Sequence, residues 1–251
     1  MSHHGKFVWC ELMTADPAVA ATFYGKVVGW SAKDWGAPDR NYLILSAGES
    51  VVGGIMDLPP GAQPGWIAYI AVDDVDAAAA KLEKAGGKIH KPADDIPTIG
   101  RFCVVADPQG APFILFKPMR SENPPPAADP TAPGQISWHE LHATDWQPAF
   151  DFYAGLFGWT KGEAIDMGPM GTYQIFNVDG AMAGGMMTKT VLGVPFWLSY
   201  FNVEAVDAAV VRLKEAGGEL MHGPQEVPGG SWIAQARDPQ GAFFAVVGPK
   251  R

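Results

Sequence analysis

Apolar positions along the chain alternate between short strand-like runs and helix-like segments. The run Phe7–Met13 predicts a strand, and Asp16 directly before Pro17 predicts the N-cap of an amphipathic helix that ends at Gly29. Five more strands and a second helix are predicted before residue 118, in chain order Tyr42–Leu45, Ser50–Met56, Trp66–Val72, a helix from Val75 to the glycine pair at 86–87, Arg101–Ala106 and Pro112–Lys117. We therefore expect an α+β fold.

The same order of elements occurs twice because the sequence itself is duplicated. Residues 5–30 and 134–159 are identical at ten of 26 positions, and the DPQGA segment at 107–111 recurs at 238–242. We predict two repeats, at 5–118 and 134–249. The segment between them, 119–133, has five prolines in fifteen residues and is expected to be a semi-rigid linker.

Composition narrows the range of partners. The 251 residues are 47% apolar and carry 27 acidic against 18 basic residues, for a net charge of −9, and no basic cluster is suited to a phosphate backbone or an anionic lipid surface. We expect no nucleic-acid partner and no membrane partner. Two cysteines and no export signal favour a reduced, cytoplasmic protein, which we expect to be a monomer or a homodimer.

Four motifs carry a family resemblance in both repeats. They are a strand with E-L-x-x-x-D, a helix ending in FY-x-x-x-x-GW, a second helix ending in AGG, and a closing DPQG turn. This combination resembles the vicinal oxygen chelate superfamily, which includes glyoxalase I, extradiol dioxygenases and bleomycin-resistance proteins. The resemblance implies four βαβββ modules, paired into two cup-shaped mixed β-sheets, with a small molecule as ligand or substrate.

The resemblance also implies where metal ligands would stand. The corresponding positions hold residues without donor groups: Trp9 and Trp138, Ile67 and Leu198, Ile114 and Ala245. Transition metals need His, Cys or carboxylate donors. We therefore expect no family-type metal site and no other cofactor.

Strand periodicity predicts what lies on the cup face instead. Alternation places Glu11 and Met13 on the face of Trp9, and Glu140 and His142 on the face of Trp138. The candidate catalytic residues are Glu11, Glu140 and His142. The candidate ligand-binding residues are Trp9, Met13, Tyr69, Trp138 and Tyr200.

A structural interpretation of these residues stays open. The two glutamates can serve only as hydrogen-bond acceptors that stabilise the sheet, and the aromatic residues can be core packing. His139 is expected on the opposite, helix-covered face. The glycine pairs at 53–54 and 184–185 either leave space for a ligand or mark a bulge.

Three functions compete at this stage. The leading hypothesis is a metal-free protein of the glyoxalase/bleomycin-resistance type that binds an apolar or aromatic metabolite. The alternative is a glyoxalase-like lyase or isomerase, or a hydroxylase-like enzyme, in which Glu11 or Glu140 is the acid/base, with or without a metal held by Glu140 and His142. In the third, the cups are filled and the protein acts through its surface, because fold alone does not choose between functions.

Overall fold

The computed structural model describes residues 3–36, 41–119, 129–189 and 192–251. Most of the predicted linker, residues 120–128, lies outside this part. The first repeat contains β1 (Phe7–Thr14), α1 (Pro17–Val28), β2 (Ser31–Asp34), β3 (Tyr42–Ala47), β4 (Ser50–Asp57), β5 (Gly65–Ala71), α2 (Val75–Lys84), β6 (Lys88–Ile96), β7 (Gly100–Ala106) and β8 (Pro112–Pro118).

The second repeat has the same order of helices and strands. It contains β9 (Ile136–Ala143), α3 (Trp146–Phe157), β10 (Thr160–Asp166), a 3-10 turn (Gly168–Met170), β11 (Thr172–Val178), β12 (Ala181–Thr188), β13 (Phe196–Asn202), α4 (Val206–Glu215), β14 (Glu219–Glu226), β15 (Trp232–Arg237) and β16 (Phe243–Gly248).

Each repeat contributes one eight-stranded mixed sheet, which confirms the predicted α+β class and its βαβββ modules. The strand orders are β2-β3-β4-β1-β5-β8-β7-β6 and β10-β11-β12-β9-β13-β16-β15-β14. The first strand of each repeat runs parallel to the fourth, with Glu11 opposite Gly54 and Glu140 opposite Gly185. None of the helices described is long and apolar enough to cross a membrane.

Local signals set the ends of the first helix in each repeat as predicted. The Asp16 carboxylate accepts hydrogen bonds from the backbone N–H groups of Ala18 and Val19, both at 3.0 Å, and Gly29 ends α1 with a φ of 90°. Left-handed backbone at this position favours glycine because it has no Cβ. Asp145 caps α3 in the same way. These two aspartates are explained by helix capping.

Four strands were not predicted individually from the apolar pattern: β2, β6, β10 and β14. All four residues of β2 are exposed, and most residues of β6 are exposed as well. Each of these strands stands at the end of its sheet order. An edge strand with both faces in solvent has no apolar alternation to detect.

The chain forms two compact units. The first comprises Met1–Trp9, Ile67–Pro125 and Trp138–Trp197, and the second comprises Cys10–Trp66, Pro126–Ser137 and Leu198–Arg251. Each unit therefore takes segments from both repeats. Each has its own apolar core: the first around Phe113, Tyr153 and Phe176, and the second around Tyr24 and Phe201.

A buried hydrogen-bonded network lies in the core of the first unit. The Trp197 Nε1–H donates to the Tyr153 hydroxyl at 3.0 Å, and that hydroxyl donates to Asp107 Oδ2 at 3.1 Å. The other oxygen of Asp107 accepts the backbone N–H groups of Gln109 and Ala111, each at 2.9 Å. The FY motif of one repeat is thereby bound to the DPQG turn of the other.

The second unit contains the equivalent network with the repeats exchanged. The Trp66 Nε1–H donates to the Tyr24 hydroxyl at 2.8 Å, and that hydroxyl donates to Asp238 at 3.2 Å. Desolvation by burial raises the pKa of both Asp107 and Asp238, and the hydrogen bonds that each carboxylate accepts only partly oppose this. The two most diagnostic sequence motifs therefore have a structural role in this chain.

The raised pKa of Asp107 predicts a pH effect on stability. Because burial holds the pKa of the Asp107 carboxyl above its usual range in the folded state, the folded state binds this proton more tightly than the unfolded state does. The Asp107 contribution to the free energy of unfolding must then increase as pH falls from above the folded-state pKa toward the unfolded-state pKa. Urea unfolding of the wild type and of Asp107→Asn between pH 7 and pH 4 measures this. As pH falls, we expect the free energy of unfolding of the wild type to rise relative to that of Asp107→Asn. A difference that stays constant would contradict the prediction.

Candidate functional site

A hydrogen-bonded chain of four side chains lies on strands β9 and β11. The Trp138 Nε1–H donates to the Tyr173 hydroxyl at 2.8 Å, and that hydroxyl donates to Glu140 Oε2 at 2.9 Å. Glu140 Oε1 lies 2.6 Å from His142 Nε2. We call these four residues the Glu140 cluster. The structure thus brings together the three second-repeat residues of β9 that strand alternation placed on one face.

A glycine makes room for this cluster. Tyr173 stands opposite Met187, and its ring lies across Gly185, the residue opposite Glu140. A Cβ added at Gly185 would overlap the Tyr173 phenol ring. The space left by the glycine is therefore occupied by a tyrosine that reaches the buried carboxyl group.

His142 is fixed on two sides. Its ring stacks on Phe196, with the ring centroids 4.6 Å apart and the planes at 24°, while Nε2 contacts Glu140. The side chain is fully buried, and Nδ1 has no hydrogen-bond partner among the described residues. Buried polar atoms in proteins are nearly always satisfied, so this nitrogen calls for a partner outside the described chain.

The first repeat has a simpler version of the same arrangement. The Tyr42 hydroxyl donates to Glu11 Oε2 at 2.9 Å, and a Cβ at Gly54 would overlap the Tyr42 phenol. Glu11 is buried, with 7% of its surface exposed, whereas Met13 on the same strand is partly buried. Met13 stands where the second repeat has His142, so the counterpart of the Glu140–His142 contact is not formed at this position. Trp9, also on β1, is partly buried.

The two remaining predicted residues, Tyr69 and Tyr200, are both buried. Tyr69 stands opposite Ile114 and packs edge-on against Phe116, with ring centroids 5.5 Å apart. The Tyr200 hydroxyl accepts a hydrogen bond from the buried Gln235 side chain at 3.0 Å.

Other chemistry-bearing groups are accounted for by packing. His139 is buried and stacks on Phe7 at 3.7 Å, and burial lowers its pKa to about 3, so the ring is neutral. This agrees with its predicted place on the face opposite Glu140. Burial raises the pKa of the Cys10 thiol to about 12. The Cys103 thiol donates to the Lys91 carbonyl oxygen. Neither cysteine is suited to act as a thiolate.

Sequence reasoning missed the partners of the glutamates. Tyr42 and Tyr173 recur at equivalent positions of the two repeats, and each lies about thirty residues from its glutamate. The glycine pairs that follow them were the available signal, because a tyrosine that crosses a sheet needs a neighbour without a side chain. No repeated signal points to Phe196 and Gln235, because the equivalent positions of the first repeat hold Gly65 and Val104.

Comparison with known protein families finds one family model that matches both repeats. The family model described as Glyoxalase/Bleomycin resistance protein/Dioxygenase superfamily matches residues 6–115 and again residues 135–246. The chain belongs to this superfamily. The predicted resemblance is confirmed over both repeats.

Relatives of known name span nearly the whole chain. CFP32 of Mycobacterium tuberculosis, provisionally named a glyoxylase, is 33% identical over 248 residues, covering 96% of this chain and 94% of that protein. The anthracycline biosynthesis protein DnrV of Streptomyces peucetius is 31% identical over 262 residues, covering 97% of this chain and 93% of that protein.

Solved structures share the fold at low sequence identity. The Mn(II)-bound glyoxalase of Novosphingobium aromaticivorans has a TM-score of 0.69 at 17% identity, covering 98% of this chain and 83% of that one. The 2,3-dioxygenase LapB of Pseudomonas sp. KL28 has a TM-score of 0.67 at 14% identity, covering 98% of this chain and 93% of that one.

The residues of this superfamily member do not fit the metal that the resemblance implies. At the implied ligand positions, the side chains of Trp9, Ile67 and Ile114 in the first repeat, like those of Trp138, Leu198 and Ala245 in the second, offer no metal donor atom. Over the described ranges, no group of three His, Cys, Asp or Glu side chains could hold a metal ion.

Proposed function

We propose that this protein binds an apolar or aromatic small molecule without a family-type metal, and that the Glu140 cluster is its principal recognition site. The observation that carries the proposal is the series of hydrogen bonds from Trp138 through Tyr173 to Glu140. At the strand position where the resemblance places a metal ligand, the protein has the Trp138 indole, which is hydrogen-bonded into a buried polar cluster.

The chemistry of the cluster supports this choice of ligand. A small-molecule site combines apolar surface with a few convergent polar groups. Trp138 and Tyr173 are both partly exposed aromatic side chains, and they stand next to a carboxyl group and an imidazole. The relationship to proteins named for anthracycline biosynthesis is consistent with an aromatic ligand. Trp9, Met13, Tyr69 and Tyr200 are proposed as further ligand-binding residues.

A direct test separates this proposal from a metalloenzyme. We expect protein purified without a metal-affinity column to contain no stoichiometric metal, and Ni, Zn, Mn, Fe and Co to leave its melting temperature unchanged. A saturating aromatic ligand at about 100 times its Kd should stabilise the fold by roughly 2.7 kcal/mol, which corresponds to several degrees. Stoichiometric metal, or a metal-induced shift that disappears in Glu140→Gln, would overturn the proposal.

The buried Glu140–His142 contact favours one second candidate function. At 2.6 Å, this pair is suited to accept and pass on a proton, as in a lyase, an isomerase or a hydroxylase-like enzyme. In the first repeat, position 13 next to Glu11 along the same face of the strand holds methionine instead of histidine, so the two glutamates provide an internal comparison. If a turnover is detected, Glu140→Gln should abolish it and Glu11→Gln should reduce it less. An activity that survives both substitutions would exclude this candidate.

A further inference from the structure

We infer that the second repeat recognises a ligand bearing a phenolic or enolic hydroxyl, and that His142 Nδ1 accepts the hydrogen bond from that hydroxyl. The inference rests on the proposed function and deepens it, because it assigns the ligand class to one repeat and the contact to one atom. It goes beyond apolar or aromatic binding, which would need no acceptor.

The donors of the Glu140 cluster determine which nitrogen of His142 carries hydrogen. Trp138 Nε1 can only donate, so the Tyr173 oxygen accepts from it and the single Tyr173 hydroxyl hydrogen goes to Glu140 Oε2. The carboxylate then accepts at its other oxygen from His142 Nε2–H. In a neutral imidazole with hydrogen on Nε2, Nδ1 is an acceptor. In this neutral form, which the inference assigns to His142, the partner of Nδ1 is a hydrogen-bond donor.

The ring of His142 is held so that Nδ1 cannot easily find a donor elsewhere. Phe196 covers one face of the imidazole and Glu140 binds Nε2, so rotation about the side chain would break both contacts. Leaving a buried polar group without a partner costs roughly 1–3 kcal/mol. A ligand O–H that satisfies this atom recovers that cost on binding.

The first repeat lacks both members of this arrangement. At the positions equivalent to His142 and Phe196 it has Met13 and Gly65, while Glu11 and Tyr42 are retained. The histidine and the aromatic ring that stacks on it thus occur together in one repeat and are absent together from the other. The joint occurrence of His142 and Phe196 supports a recognition role that is specific to the second repeat.

Burial of Nδ1 favours a neutral hydroxyl over a charged ammonium donor. An ammonium group loses its hydration at large cost when it is buried, whereas a neutral phenol or enol loses much less. Imidazole can also take the proton of such a hydroxyl: the O–H bond breaks, an N–H bond forms at Nδ1, and the Glu140 carboxylate balances the charge of the imidazolium.

Two probes that differ in one hydrogen-bond donor test the inference. We choose 2-hydroxyanthraquinone, whose hydroxyl is free of internal hydrogen bonds, and 2-methoxyanthraquinone, which has the same rings and no donor. The wild type should bind the hydroxy probe about tenfold more tightly than the methoxy probe, as expected for one hydrogen bond to a buried acceptor. In His142→Met, which introduces the residue that the first repeat has at this position, the ratio of the two affinities should fall to about one.

A measurement on wild-type protein tests the same contact if His142→Met does not fold. In wild-type protein, the ¹⁵N resonance of His142 Nδ1 should move on addition of the hydroxy probe and not of the methoxy probe. His90→Met, which changes an exposed histidine, should retain the full preference.

The two proposals fail in different ways. Saturable binding of both probes with equal affinity by the wild type would overturn the role of His142, since water alone would then satisfy Nδ1, and would leave the proposed function standing. No binding of either probe would overturn both.

Discussion

Replacing Asp107 with alanine should lower the free energy of unfolding by about 3 kcal/mol, which lowers the melting temperature by roughly 10 °C. One carboxylate here satisfies three donors at once: the Tyr153 hydroxyl and the backbone N–H groups of Gln109 and Ala111. Alanine leaves all three without that acceptor, and two of them are buried. Loss of the desolvated charge offsets part of the cost. Thermal and urea unfolding measure the effect.

Asp238→Ala provides an independent replicate, because Asp238 makes the same contacts to Tyr24, Gln240 and Ala242. Asp151→Ala is the matched control, since Asp151 is exposed on α3 and its loss should change stability by no more than about 0.5 kcal/mol. Losses below about 1 kcal/mol for both Asp107→Ala and Asp238→Ala would show that these networks do not anchor the motifs.

Replacing Gly185 with alanine should reduce binding of an aromatic ligand at the second repeat at least tenfold. The new Cβ overlaps the Tyr173 ring, and the atoms nearest to it all belong to that side chain. A side chain moves more easily than the backbone, so we expect the phenol to leave Glu140 and the Trp138 indole at a cost of about 1–2 kcal/mol in stability. Calorimetric binding measurements and thermal unfolding together separate the two effects.

Gly155→Ala is the control for this substitution. Gly155 lies on the exposed side of α3 with no atom near its missing Cβ, so alanine there should stabilise the helix by roughly 0.5–1 kcal/mol and leave binding unchanged. If Gly185→Ala binds the ligand as tightly as the wild type, the position of Tyr173 does not matter for recognition.

Local signals in the sequence were sufficient for most of the fold. The caps at Asp16 and Asp145 and the glycines that end α1 and α3 depend on contacts within a few residues, and the buried strands carry apolar runs. β2 was missed because its four exposed residues leave no pattern. The alternation along β9 placed Glu140 and His142 on one face, which the 2.6 Å contact between them requires.

Contacts between distant segments could not be predicted in the same way. Tyr173 lies 33 residues from Glu140, and Tyr153 lies 46 residues from Asp107, on the far side of the linker. A duplicated sequence suggests that each motif meets its neighbours within its own copy. The FY and DPQG motifs do the opposite, and only the tertiary structure reveals which residue of one copy meets which residue of the other.

The exchange of partners between copies sets how freely each half of the gene can diverge. Tyr153 depends on Asp107 and Tyr24 depends on Asp238, so a change in one copy alters the core contacts of the other, and selection on these positions acts on both copies jointly. The Glu11–Tyr42 pair and the Glu140 cluster are each built within a single copy. Mutation there leaves the other copy intact, so a duplicated scaffold can carry methionine at 13 and histidine at 142.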